Sequence, residues 1–189
     1  IVYGINSLYY DFVGASPISG FDSGFSTFAQ GFIALGSFRL SYITFYALIA
    51  VAFVWVLWNK TRFGKNIFAI GGNPEAAKVS GVNVGLNLLM IYALSGVFYA
   101  FGGMLEAGRI GSATNNLGFM YELDAIAAVV LGGTSLSGGK GRIFGTIIGA
   151  LIIGTLNNGL NILNVSSFYQ QVVKGIVILL AVLMDRKKN

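Results

Sequence analysis

Few side chains in this sequence could act chemically, and their types narrow what it can do. None of the 189 residues is Cys or His, so there is no thiol nucleophile, disulfide, imidazole base or usual zinc or copper ligand. No catalytic residue, metal or cofactor is expected. The glycine-rich run GGTSLSGGKG invites comparison with phosphate-binding loops. A P-loop built on Lys140 would need Gly where Thr134 stands, and a hydroxyl where Gly141 stands. A dinucleotide fingerprint starting at Gly139 fails at Phe144. Any nucleotide chemistry must therefore sit on another chain.

The remaining polar groups suit contact and positioning. In GGNPEAAKVSGVNV, Asn73 is a good N-cap, Pro74 suits the first helical position and Glu75 favours the positive end of the helix dipole. Gly81 can close the helix from a left-handed conformation. The pattern predicts a two-turn helix through Lys78, on which Ala76, Ala77 and Val79 give a small, flat surface suited to a partner's groove. The alternative is a capped connector with no partner. Asn157, Asn161 and Asn164 share one stripe of a long apolar run, with Asn158 beside them; such amides either bond another helix or line a pore. Glu122 and Asp124 flank a short apolar segment, where they either meet a partner or are solvated. Glu106 and Arg109 form a possible local pair of little energetic weight.

The elements that position these residues belong to a membrane protein. Hydrophobic residues make up 55% of the chain and charged residues only 10%, against about 25% charged in soluble domains. The 27 glycines against 2 prolines suit close helix approach in lipid. The net charge of +5 comes from 12 scattered Lys and Arg residues that form no basic stripe with interleaved aromatics, so a bilayer is the expected partner and nucleic acid is not. Crossing roughly 30 Å of hydrocarbon takes about 20 apolar residues. Runs near 40–58, 86–107, 143–165 and 168–184 meet that need. A further segment near 122–136 is too short for a regular crossing and predicts a short or broken helix. Its Gly132, Gly133, Thr134 and Ser135 belong inside the bundle, because lipid cannot satisfy free backbone groups. The fold class is thus all-α, a polytopic bundle of about five crossings plus a short cytoplasmic helix in the loop 59–85. Gly96, Ala100, Gly103 and Ala107 give the second crossing one smooth packing face, and Gly145 and Gly149 repeat the device.

The positive-inside rule sets the orientation. With the C-terminus cytoplasmic, that side receives Lys60, Arg62, Lys65, Lys78, Lys140, Arg142, Arg186, Lys187 and Lys188. Arg39, Arg109 and Lys174 fall toward the other face, Lys174 snorkelling to the interface, and the acids Asp11, Asp22, Glu106, Glu122 and Asp124 gather there. Residues 1–39 form an extracytoplasmic segment in which FAQGFIALG is a candidate amphipathic or re-entrant helix. The chain opens at Ile1 with no signal-peptide pattern, which predicts a piece of a longer protein.

Glu75-Ala76-Ala77 followed by Gly81 resembles the E-A-A-x-x-x-G pattern of ABC importer permeases. The runs TRFGKNIFAIGGNPEAAKVSG and Tyr121 to Asp185 resemble the C-terminal part of permeases of the ribose/monosaccharide import family. The resemblance covers Thr61 to the C-terminus; the first sixty residues match in character only. It implies a multi-pass subunit of the bacterial plasma (inner) membrane that is not itself an enzyme. It also implies a second permease copy forming a homodimer, a separate ABC ATPase subunit and an extracytoplasmic sugar-binding protein. Carried over, Asn73, Pro74, Glu75, Ala76, Ala77, Lys78 and Gly81 form the ATPase-coupling helix. With such a path and partner, Gly132, Gly133, Thr134, Ser135, Asn157 and Asn161 are candidate translocation-path residues, and Glu122 and Asp124 candidate docking residues for the binding protein. Ribose is the expected monosaccharide. The alternatives are another neutral solute, branched-chain amino acids included, and a passive channel or structural membrane protein. No charge occurs between Arg142 and Lys174, which favours a neutral solute. Family members have about twice as many helices, so this resemblance too implies a fragment.

Overall fold

A computed structural model describes residues 2–36 and 38–186. Nine helices and four short strands occur among them. The cationic positions Lys187 and Lys188 lie outside the described residues.

Three helices are long and apolar enough to cross a membrane: Tyr42–Lys60, Val84–Ile110 and Ile143–Ile162. These are α3, α6 and α8 in chain order. The C-terminal α9, Ser167–Arg186, carries a shorter apolar stretch, Phe168–Leu179. The segment expected to be broken is α7, Tyr121–Leu131, only 11 residues long. None of α3's residues is buried, so its apolar surface is left to lipid or to other protein.

The chain divides into two compact units. One comprises Ile1–Val54 and Leu89–Phe119. It holds α1 (Val2–Phe12), β1 (Ile18–Ser19), α2 (Ser23–Gln30), β2 (Phe32–Leu35), β3 (Phe38–Ser41) and β4 (Ser112–Ala113). Here FAQGFIALG departs from a single helix. Asp22 caps α2 through its carboxylate, which accepts from Gly24 N at 2.9 Å, and α2 stops at Gln30. The following FIAL is β2, paired antiparallel with β3 so that Phe32 faces Ser41 and Leu35 faces Phe38. Phe32, Ile33 and Phe38 favour extended backbone, and the turn at Gly36 (φ +63°) lets the two short segments close a hairpin ladder. Leu40 and Ser41 consequently belong to β3, and α3 begins at Tyr42. The α2 helix rests against α6 at Gly108, where an added Cβ would meet Ala29 Cβ at 2.5 Å. Gln30 Nε2 donates to Gly108 O at 2.9 Å. Phe28 stacks on Tyr46 with centroids 4.8 Å apart. The expected smooth face of α6 is not covered within this unit: nothing approaches within 4 Å of a Cβ built at Gly96 or Gly103.

The other unit comprises Trp55–Leu88 and Met120–Asn189. Its core is Ala127, Ala128 and Ile153, with Val177 and Ile178 packed against it. Small residues let α7 and α8 meet backbone to backbone. A Cβ at Gly149 would run into the Ala128 carbonyl oxygen, and one at Gly145 into the Gly132 carbonyl oxygen. The unit also holds α4, Arg62–Gly72, and α5, Pro74–Val79.

Candidate functional site

The segment between α3 and α6 contains two helices rather than one helix in a loop. Thr61 starts α4 by accepting from Gly64 N at 3.3 Å through Oγ1, while its hydroxyl donates to Leu57 O at 2.6 Å. Gly64 is required because a Cβ there would enter the Trp58 backbone. Asn73 then serves both neighbours. Its N–H donates to Ala69 O at 3.0 Å, ending α4, and its Oδ1 accepts from Ala76 N at 3.0 Å, starting α5. Pro74 occupies the first turn with Glu75, and Lys78 the last. The helix closes in a Schellman motif: Val82 N donates to Ala77 O and Gly81 N to Lys78 O, each at 3.0 Å, with Gly81 at φ +83°.

Burial separates the faces of α5. Ala77 is 4% exposed and Val79 88%; Pro74, Glu75, Ala76 and Lys78 are exposed. The flat Ala76, Ala77 and Val79 surface expected for a partner is therefore corrected. Ala77 faces its own unit because the short helix needs one small residue to settle against the protein. Glu75, Ala76 and Val79 are left for contact.

The glycine-rich run also ends a helix. Thr134 N donates to Val129 O at 3.0 Å and Gly133 N to Val130 O at 2.9 Å. Gly133, at φ +79°, thus closes α7 as Gly81 closes α5. Ser135 is buried, and its N–H donates to Lys140 O at 3.0 Å, drawing the turn together. Thr134 Oγ1 lies 3.5 Å from Thr146 Oγ1 on α8. An open cleft of about 550 Å³ beside this turn is lined by Phe68, Gly132, Gly133, Gly139, Lys140, Gly141 and Arg142.

The residues grouped as one path do not meet. Gly132 lies against Gly145 near the start of α8, whereas Asn157 is 12 residues further along α8, about 18 Å at helical rise. Asn157 Nδ2 donates to Asp124 Oδ2 on α7 at 3.1 Å. Asn161 Oδ1 accepts from Gln170 Nε2 on α9 at 2.9 Å. Of the two uses open to these amides, both make interhelical bonds.

Asp124 also holds a cation. Lys174 Nζ lies 2.8 Å from its Oδ1 and donates to its Oδ2 at 2.9 Å; the Lys174 side chain is 17% exposed and that of Asp124 20%. Lys174 is thus held by Asp124 within its unit, because a carboxylate within reach stabilises an ammonium. Asp124 is engaged inside its unit, and Glu122 is the exposed acid of the pair. This three-helix cluster had no local sequence signal, since its partners stand 33 and 50 residues apart.

Membrane-length helices, a short capped helix between two of them and one short helix ending in a glycine turn are the features expected of an importer permease. A family profile described as branched-chain amino acid transport system / permease component matches residues 1–182, and the chain belongs to this family. It is 80% identical over 188 residues to a galactose/methyl galactoside import permease protein of Escherichia coli K12. It is 66% identical to the protein of that name in Haemophilus influenzae and 54% to a ribose import permease protein of Bacillus subtilis. These alignments cover 98% or more of this chain but 56% of each relative, so it spans about half their length. No solved structure matches it significantly.

Proposed function

We propose that this chain is part of the permease subunit of a bacterial ATP-driven monosaccharide importer, in the inner membrane with its C-terminus cytoplasmic. One observation carries the reading. A six-residue helix, capped at both ends, offers Glu75, Ala76 and Val79 outward between two membrane-length helices, in a chain closely similar to sugar permeases. In this reading Asn73, Pro74, Lys78 and Gly81 shape the helix, Ala77 seats it, and the exposed face docks on an ABC ATPase subunit. A second permease copy completes the path, to which the Gly132–Ser135 turn contributes at one end of α8 and Asn157 and Asn161 at the other. Exposed Glu122 meets an extracytoplasmic sugar-binding protein.

Galactose or a methyl galactoside is the favoured solute, supported by identities of 80% and 66% to permeases so named. Ribose is the second reading, supported by 54% identity to a ribose permease. A neutral solute also fits the pairing of Lys174 with Asp124, which leaves that cation no free charge to offer an anionic one. A passive channel leaves the outward face of α5 without a use.

Docking is tested by co-purification of the complete permease with its ATPase subunit. Glu75→Lys combined with Val79→Trp is expected to lower recovery of the ATPase by about tenfold, as loss of an interface anchor does. Undiminished recovery and uptake would contradict the docking face. Ala77→Trp is no substitute, because Ala77 is buried within its own unit.

A further inference from the structure

One arrangement among the described residues has no part in the function above. The end of α4 touches the turn between α7 and α8 main chain to main chain. A Cβ built at Gly71 would lie 2.6 Å from Gly139 N. One at Gly138 would lie 2.5 Å from Gly71 O, and one at Gly139 2.9 Å from Gly72 Cα. Real Cβ atoms essentially never come closer than 3.0 Å to such neighbours, so three glycines each exclude a side chain against the opposite backbone. Gly138 and Gly139 are doubly constrained, with φ of +89° and +72°, where L side chains are strained.

We infer that this glycine contact is a rigid joint through which displacement of α5 passes to the α7–α8 turn. The inference rests on the docking reading of α5. A contact between long side chains absorbs displacement by changing rotamers, whereas two backbones in van der Waals contact have no such freedom. The connections on both sides are equally stiff. Gly71 is two residues from Asn73, whose backbone and side chain tie α4 to α5. Across the joint, the 135–140 turn is closed by the Ser135–Lys140 and Gly138–Ser135 backbone bonds. From there Gly132 on Gly145 and Ala128 on Gly149 continue main chain against main chain into the bundle. Spatial continuity alone does not establish coupling, and the neighbouring glycine supplies the control. Gly71 and Gly72 are consecutive residues of α4 without positive φ, so Ala suits the helix at either. A Cβ at Gly72, unlike one at Gly71, meets nothing within 4 Å.

The test uses the complete permease with its ATPase and binding protein in proteoliposomes, measuring sugar uptake and ATP hydrolysis together. Gly71→Ala is expected to lower uptake per ATP hydrolysed by about tenfold, within the range of coupling mutations. Gly72→Ala should stay within about twofold of wild type, as open-site substitutions do. Equal ratios for the two variants would overturn the joint, and ATPase recovery with Gly71→Ala should remain normal. Loss of recovery with Glu75→Lys and Val79→Trp reports on docking separately, so failure of one reading leaves the other standing. If Gly71→Ala does not accumulate, spin labels at Ser80→Cys and Ser137→Cys, both exposed positions, decide the matter in a chain with no other Cys. A rigid joint keeps their separation constant between nucleotide-free and ATP-trapped states. A change greater than about one helical turn, 5.4 Å, would overturn it.

Discussion

The two ends of α7 are held by opposite chemistry. At its start, Asp124 gathers Lys174 from α9 and Asn157 from α8 through charge and hydrogen bonds. At its far end, Gly132 meets Gly145 with no side chain between the backbones. The charged end depends on both partners being present. Taking one away leaves the other ionised in a poorly solvated site, while modest changes of shape there can be taken up by a long lysine. The glycine end is indifferent to charge and intolerant of a single carbon. A short helix too brief to be fixed by its own length is thus anchored at one end by electrostatics and at the other by sterics.

That contrast can be broken from either side. The largest effect is expected from Gly149→Val, which drives a side chain into the Ala128 carbonyl and should destabilise the bundle by about 3 kcal/mol. Thermal unfolding of the detergent-solubilised permease measures it, and near wild-type stability would show that α7 and α8 separate easily. Lys174→Met should cost about 2 kcal/mol, less than a fully buried pair because about a fifth of each side chain reaches solvent. The exchange of Asp124→Lys with Lys174→Asp should recover part of that loss, whereas no analogous exchange rescues the glycine end. Smallest is Asn73→Ala, which removes a cap shared by α4 and α5 and should cost about 1 kcal/mol, read as a lower melting temperature.

The same contrast explains what could be read from sequence. Apolar run length located the three membrane-length helices α3, α6 and α8, because crossing lipid is a local requirement, whereas the run near 168–184 falls on α9, whose apolar stretch is shorter. Asn73, Pro74 and Gly81 marked α5, because caps act within a few residues. In α4 the charges Arg62 and Lys65 broke the apolar pattern and left the segment as part of the loop 59–85. Phe63, Ile67 and Ile70, one and two turns apart, were the signal that it is amphipathic. The Asp124–Lys174 pair and the Gly71–Gly139 contact were illegible for a different reason. Each joins residues 50 or more positions apart, and neither a charge nor a glycine names its distant partner. The β2–β3 hairpin was missed because four-residue strands beside a membrane helix read as part of its apolar approach.

The proposed ATP-driven uptake of a neutral monosaccharide is measured most directly on the complete permease. Labelled galactose should accumulate in proteoliposomes holding the permease, its ATPase and its binding protein only when ATP is present, with ribose competing poorly. Equal galactose entry with and without ATP, or no entry under either condition, would contradict the account.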